Sequence, residues 1–421
     1  MLEKPKLFLT PREFWLTGIF LLVLISLRFF FLYGEYKTFI NKPFYYTDVT
    51  ILQSYIKDNG EKRYQILKLY APELNLNFFT RSNNIDKKFS SQLRIKLYPS
   101  NEMGFSEYLG TSFIHTQINE SEKSLPIRED KIFSYVDKQH ASEMIDDFYK
   151  AIFFADPLEK DLREVVSRLG VSHLIALSGF HLAILSTLLF FLLRPIYHFV
   201  QKRYFPYRYD LLDVGFVVLV LLAYYVVFVG APHSLVRSYA MMFMGWSLLL
   251  LGIELLSFSF LFMIVLLLLL IFPQMLLSLA FWFSVMGVFY IFLLLRYFAH
   301  LNRYLITLII SFGIFILMLP LVHTIFPLTS PLQLLSPLLS LIFTFFYPLS
   351  MGLHVVGQGD FFDPLLLILF SLESQESYVF LTPWYGVGYL LLSLLAIYSR
   401  VWFSLLFVVA FGFSVYLFMG F

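Results

Sequence analysis

The chain has 421 residues, is 58% hydrophobic and only 14% charged, and carries a formal net charge of +2. A soluble domain holds about a quarter of its residues charged, so this composition excludes an ordinary globular protein and defines a polytopic membrane protein. The absence of cysteine excludes disulfides, thiolate metal sites and a cysteine nucleophile.

A first hydrophobic run, from Phe14 to Tyr33, is long enough to cross a bilayer at about 1.5 Å per residue. Lys4, Lys6 and Arg12 precede it and no small-residue cleavage site follows. Residues 1–33 are therefore expected to be a retained anchor with a cytoplasmic N-terminus. Over residues 34–123 apolar and polar residues alternate in short stretches, at 44–57, 62–70, 76–81, 92–98 and 112–118. Turn signals such as Asp58-Asn59-Gly60 and Pro99-Ser100-Asn101 separate them. Period-two alternation predicts half-buried strands, and five of them in so short a segment predict a small OB-like barrel. Residues 124–170 read as an amphipathic helical connector. Phe133, Val136, Ile145, Phe148 and Ile152 face one way against Lys138, Glu143, Asp146 and Asp147, and Pro157 divides the connector into two helices.

From residue 171 to 421 the chain reads as membrane. Spans are expected near 172–194, 211–230, 235–252, 255–272, 276–296, 304–322, 334–352, 355–372, 384–400 and 401–420. Arg194, Lys202, Arg203 and Arg208 crowd the loop after the first, and Arg296 and Arg303 flank a later one. Positive residues mark cytoplasmic loops, which places the strand-rich segment outside. Gly357, Gly359, Asp360, Pro364, Glu373 and Glu376 interrupt the stretch 352–385. That stretch is open to three readings: a short span, a re-entrant segment or an interfacial helix. The expected fold class is an α-helical polytopic membrane protein with an extracytoplasmic small β-barrel (OB-like) domain.

Polar groups entering hydrocarbon are expensive because lipid offers no hydrogen-bond partner. His173, Ser178, Gly179 and His181 stand at such an entry. The two histidines lie roughly on one helix face, but no third or fourth ligand stands at metal spacing, so no metal is expected. Ser178 with His181 invites comparison with a serine hydrolase, yet Ala176 and Phe180 occupy the glycine positions of a nucleophile elbow. Helix capping and the lining of an aqueous path are the two roles left open. At Gly230 to Arg237 one span ends and another begins, with Pro232 at the break and Ser234 as candidate N-cap. Arg237 then sits beside a helix N-terminus, which already favours anions, although an arginine there can also snorkel to the interface. In the strand-rich segment Lys62, Arg63, Arg81, Lys87, Lys88, Arg94 and Lys96 are interleaved with Tyr64, Tyr70, Phe78, Phe79 and Tyr98. Aromatic platforms beside basic tracks hold single-stranded nucleic acid, and a solvated charged face is the plainer reading of the same pattern.

The block Gly170, Ser172-His173-Leu174, Ala176, Ser178-Gly179 and His181 resembles the serine-glycine block of the ComEC family of competence proteins, with Phe180 where leucine is commoner. Pro232, Ser234 and Arg237 resemble the family's next motif. Phe281-Trp282-Phe283-Ser284 resembles a third, with Trp282 where glutamine is more frequent, and Ser336-Pro337-Leu338 followed by Pro348 resembles a fourth. Gly104-Phe105 with Tyr108-Leu109 resembles the end of the family's outer domain. The resemblance implies an inner-membrane channel that passes single-stranded DNA into the cytoplasm during natural transformation. Its DNA path would use His173, Ser178, Gly179, His181, Pro232, Ser234, Arg237 and Ser284. The implied partners are single-stranded DNA, membrane lipid and a periplasmic DNA-binding receptor. No Gly-x-x-x-x-Gly-Lys loop is present, so a separate cytoplasmic motor or strand-binding protein is expected. No His-x-His-x-Asp-His motif is present either, which corresponds to a short form of the family and assigns degradation of the second strand to another nuclease. No enzymatic activity, cofactor or metal is expected. The rival readings are a small-solute or lipid transporter with an outer docking domain, and an intramembrane serine hydrolase.

Overall fold

The computed structural model describes residues 10–58, 63–82, 92–100, 102–123, 128–156, 158–250 and 257–419. In chain order it begins with α1 (Pro11–Asn41) and the strands β1 (Tyr45–Asp58), β2 (Arg63–Ala71), β3 (Leu76–Ser82) and β4 (Gln92–Tyr98). A short helix α2 (Phe105–Leu109) and the strands β5 (Thr111–Phe113) and β6 (His115–Lys123) complete this part. Three helices follow: α3 (Arg128–Asp137), α4 (Glu143–Phe154) and α5 (Lys160–Arg168). Next come α6 (Ser172–Ile175), α7 (Gly179–Tyr204), α8 (Asp210–Phe228), α9 (His233–Leu250), α10 (Phe258–Ile271), α11 (Leu279–Phe298) and α12 (Arg303–Val322). The pair β7 (Leu328–Thr329) and β8 (Ser377–Tyr378) brackets α13 (Ser336–Val355) and α14 (Asp363–Phe370), and α15 (Pro383–Leu395) and α16 (Arg400–Phe418) end the described chain. Seven helices among the described residues are long and apolar enough to cross a membrane: α1, α7, α8, α11, α12, α13 with the turn before it, and α16.

The chain divides into two compact units, one built on residues 8–130 and 261–283, the other on 131–260 and 284–421. In the first, α1 does not stop at residue 33. Thr10 caps its start, and the helix runs on through Gly34, where Thr38 Oγ1 donates to the Gly34 carbonyl at 3.0 Å. Its last turns belong to the sheet's core: Phe39 is buried with Val49, Leu67, Leu69, Phe78, Ile95 and Leu97, and Tyr36 donates to the Met103 carbonyl at 2.6 Å. The helix of the anchor thus continues beyond residue 33 into the sheet's core.

The expected closed barrel of five strands is corrected to a six-stranded sheet in the order β5-β3-β2-β1-β4-β6. The strand expected at 112–118 divides at Ile114, which is buried and whose N–H turns to the Phe79 carbonyl at 2.8 Å. β5 then pairs parallel with β3, while β6 pairs antiparallel with β4. The hydroxyls of Thr80 and Thr116 meet at 2.7 Å. Alternation in β3 and β4 is as expected: Leu76, Phe78, Leu93, Ile95 and Leu97 point into the core, and Arg81 and Arg94 point out.

The second unit is a helical assembly on a core of Ile145, Tyr149, Ile152, Phe153, Leu162, Leu174, Leu182, Leu222, Leu235 and Tyr347. The connector has three helices rather than two, because the chain also breaks at 138–142, where Gln139 and His140 turn their side chains toward the α13–α14 corner. Residues 172–194 do not form one span: α6 stops after a single turn and α7 starts afresh at Gly179. The expected span 355–372 is absent as well. Gly357 adopts φ +79° and closes α13, Gly359–Phe362 forms a 3-10 turn, and α14 has only 8 residues, about 12 Å of rise. α10 and α15, with 14 and 13 residues, rise about 20 Å, less than the roughly 30 Å of hydrocarbon.

Candidate functional site

α5 ends in a Schellman turn. Gly170 at φ +67° sends its N–H to Ser167 O, and Val171 N–H reaches Val166 O. The chain makes the single turn of α6, unwinds through Ala176 and Leu177, and re-enters helix at Gly179. Ser178 caps α7, its hydroxyl accepting from Phe180 N–H at 3.3 Å. His181 closes the cap from the other direction, its Nδ1 accepting the Ser178 N–H at 3.2 Å. A histidine thus fills the place usually held by Glu or Gln in a capping box.

The unwound segment frees carbonyls that need partners, and distant helix starts supply them. Ser234, in the first turn of α9, donates its hydroxyl to Leu177 O at 2.8 Å. Ser336, the first residue of α13, donates to Gly170 O at 2.9 Å. One turn later Ser340 donates to Ser336 O at 2.8 Å, so its oxygen is free to accept from His173 Nε2–H at 3.3 Å. α7 and α9 also approach closely, since a Cβ on Gly179 would lie 3.1 Å from Ser238 Oγ. The N-terminal turns of α7, α9 and α13 are thereby fastened to residues 170–178.

α9 starts where it does because α8 is closed by a second Schellman turn. Gly230 takes φ +85°, and Ala231 N–H reaches Val226 O at 2.8 Å. Pro232 follows, and its carbonyl receives the N–H groups of Leu235 and Val236. Arg237 is half-buried one turn into α9.

Of the residues singled out in sequence, the structure joins His173, Ser178, Gly179, His181, Pro232 and Ser234 in this knot, with Arg237 on the same turn of α9 as Ser234 and Ser238. Ser284 stands exposed on α11, and none of these hydrogen bonds reaches it. His181 is 0% exposed, set edge-on against Tyr347 and Phe343 at 4.8 and 5.2 Å between ring centres, and its Nε2 has no hydrogen-bond partner. A fully buried ring wets no corridor, so His181 acts here as a cap and packing residue. His173, in contrast, is exposed. Ser336 entered the sequence reading only within the fourth resembling motif and not among the path residues, and Ser340 was not singled out, although a serine ahead of Pro337 at a broken span was a usable signal.

In the first unit, Lys62, Lys87 and Lys88 lie outside the described residues, and Arg63 opens β2 opposite Asp58. Arg81 stacks on Tyr64 at 4.1 Å. Arg94 pairs in register with Asp48, and Lys96 lies over Phe44, Tyr98 and Tyr46 at 4.1, 5.1 and 5.7 Å. β3 and β4 are separated in the sheet by β2 and β1, so these cations form two groups rather than one track.

α4 buttresses the knot. Tyr225, on α8, donates to Phe153 O at 2.8 Å and its oxygen lies 3.3 Å from the Tyr347 hydroxyl. One turn earlier on α4, Lys150 bridges Asp137 and Asp146 at 2.5 and 2.6 Å. Burial, with Glu159 nearby, pushes the Asp147 carboxyl up to about 6. Among the described residues no group of three or more His, Cys, Asp or Glu side chains can hold a metal ion.

Apolar helices of spanning length, interrupted at a polar segment and re-joined by side chain-to-carbonyl hydrogen bonds, define a multi-pass membrane protein. The break-bearing region coincides with a known family. Residues 155–373, just over half of the chain, match the competence protein family, and the chain belongs to it. The family's role is DNA uptake in competence, with DNA as cargo and the membrane as setting, and it is not a family of known enzymes. No curated protein and no solved structure matches the chain.

Proposed function

We propose that this competence protein is the inner-membrane channel through which single-stranded DNA enters the cytoplasm, with the knot at residues 170–178 as its phosphate-handling point. The carrying observation is that three helix N-termini, those of α7, α9 and α13, are tied to residues 170–178, at the turn after α5 and the break after α6. Each start carries the positive end of a helix dipole, and such ends favour phosphate oxygens. Broken helices meeting at membrane depth are the usual framework of a transport path. Arg237 adds a cation beside one of these ends, and His173 with Ser340 adds exposed polar surface. Several weak attractions suit a moving polymer better than one tight site. Pro232, Ser178 and Gly179 hold the breaks open, His181 positions the cap of α7, and Ser284 is a second contact further along the path.

The sheet of the first unit is the proposed receiving module, OB-like and outside, and α1 its anchor with a cytoplasmic start. Support for the OB-like reading comes from β5 and β6, the two ends of the ladder, which are consecutive segments joined at Ile114. The Thr80–Thr116 hydroxyl pair across β3 and β6 also draws those ends together. Lys96 among Phe44, Tyr46 and Tyr98 combines charge and ring faces in the way that holds bases and phosphates. The proposed division is anchor 1–33, receiving module 34–123, connector 124–170 and channel 171–421.

Moving each phosphate against an inside-negative potential costs about 2.3 kcal/mol per 100 mV. A passive path cannot accumulate such a polymer, so the proposal includes a separate cytoplasmic motor or strand-binding protein, a periplasmic receptor and a nuclease. The test is to delete the gene and follow labelled DNA. Arrival outside the inner membrane with loss of cytoplasmic entry is expected, and normal entry would reject the channel. Complementation with Arg237→Glu and Arg237→Lys then probes the path: Lys should restore entry and Glu should not.

A further inference from the structure

The break between α3 and α4 turns His140 inward until its side chain is 0% exposed. Its Nδ1 lies 2.9 and 3.1 Å from the two carboxylate oxygens of Asp363, at the start of α14. Its Nε2 lies 2.9 Å from the Nε2 of His354, in the last turn of α13, and His354 Nδ1 lies 2.7 Å from Ser350 O. Gln139 clamps the same corner, donating to His354 O at 3.3 Å and accepting the Gly359 N–H at 2.8 Å. Gly359 permits this approach: a Cβ there would lie 2.7 Å from Gln139 Oε1 and 2.8 Å from His354 Nε2.

The hydrogen bonds fix the number of protons. A carbonyl only accepts, so His354 Nδ1 carries a hydrogen and its Nε2 presents a lone pair to His140. His140 Nε2 must therefore donate. Its Nδ1 then either donates to an ionised Asp363, which makes His140 an imidazolium, or accepts from a protonated Asp363. Both arrangements place three protons on three groups and leave the trio neutral. With only two protons, the carbonyl and the carboxylate take both N–H groups, two lone pairs face each other at 2.9 Å, and a net negative charge is left in a buried site.

We propose that His140, His354 and Asp363 form a binding site for one proton beyond the two on neutral imidazoles, and that this proton latches residues 138–142 to the corner between α13 and α14. The surroundings favour a neutral trio. Tyr149 of α4 stacks on His140 at 4.7 Å and meets His354 at 4.4 Å, and Phe153 closes the next side at 5.0 Å. Of the other charged groups on the packed elements, Asp137 and Asp146 are engaged with Lys150, Asp147 is half-buried near Glu159, and Lys138, Glu143 and Asp360 are exposed. Release of the third proton as pH rises sets the opposed lone pairs against each other and opens the latch. Because α13 carries His354 at its end and Ser336 and Ser340 at its start, the latch and the knot at Gly170 and His173 hold opposite ends of one helix.

The inference stands apart from the channel reading and is tested without DNA. Hydrogen exchange of the full chain in lipid nanodiscs is followed from about pH 6 to about pH 9, corrected for intrinsic exchange, which brackets and exceeds the ordinary histidine range. Peptides covering 137–142 and 354–363 are expected to open tenfold more per pH unit once the proton leaves, as linkage to one proton requires. His354→Gln places an amide N–H where the proton sits, so its profile should be flat and closed; His140→Phe should be open throughout. A flat wild-type profile overturns the proposal, and that scan stands even where a variant fails to fold. A His354→Gln slope equal to wild type also overturns it, as does opening on addition of a chelator, which would make the shared cation a metal.

Discussion

Ser234 and Leu177 are 57 positions apart in the chain, yet the serine hydroxyl donates to the leucine carbonyl at 2.8 Å and joins the start of α9 to the break before α7. Removing the hydroxyl leaves a carbonyl of an unwound segment without its partner, a loss of about 1–3 kcal/mol where water cannot replace it. Ser234→Ala is therefore expected to lower the unfolding midpoint of the purified chain and reduce DNA uptake, while Ser234→Thr retains both. A Ser234→Ala chain as stable and as active as wild type would remove this bond from the architecture of the site.

Gly170 is required twice over. Its φ of +67° is costly for any side chain, and an alanine Cβ would press to 3.1 Å from Gln333 Cγ. The left-handed conformation alone costs roughly 1–2 kcal/mol. Gly170→Ala should destabilise by at least that much, and Gln333→Ala in the same chain should recover at most the Cγ contact, since Gln333 Cβ would still lie 3.2 Å away and the bond from Gln333 to Leu328 O is lost. Full recovery in the double variant, read by thermal unfolding, would show that the backbone conformation carries no cost.

What the sequence disclosed follows from which signals are local. The strands of the first unit were legible because alternation such as Leu93, Ile95, Leu97 against Arg94, Lys96 is written within one element. The division at Ile114 was not, because it depends on Phe79, a residue on another strand. Membrane helices were legible by length and apolarity, but α6 stops at Ile175 with no proline or glycine to announce it. Its break is stabilised by Ser234, and the turn before it by Ser336, whose partners are known only after folding. His181 looked like a wall of a wet path because sequence shows polarity and not burial; Phe343 and Tyr347 decide that. The His140–His354 contact spans 214 positions and has no local signature.

Asp147 should make stability depend on acidity in a defined direction. Its folded carboxyl titrates at about 6, raised first by burial and then by Glu159, against about 4 when unfolded. Stability from this group is full below about pH 4 and is lost as pH rises through about 6, because the folded state resists ionisation. Asp147→Asn should flatten that part of the stability profile and leave the chain at least as stable at neutral pH. Thermal unfolding of both chains over this range decides, and an unchanged slope in the variant would assign the dependence elsewhere.

Lys96 ties the outer face of the sheet to the proposed cargo. Its ammonium lies over Phe44, Tyr98 and Tyr46, so it is held at a fixed place on the β1–β4 face instead of sweeping through solvent. A cation held in this way loses little freedom when a phosphate arrives, and the surrounding rings offer faces to bases. Lys96→Ala is expected to weaken binding of a labelled single-stranded oligonucleotide to the full chain and to lower the salt dependence by about one released counterion. Lys96→Arg should keep both, since the guanidinium preserves charge and ring contact. If Lys96→Ala binds with unaltered affinity and salt slope, strand reception belongs to another surface, because a phosphate contact cannot be removed without changing the counterion count.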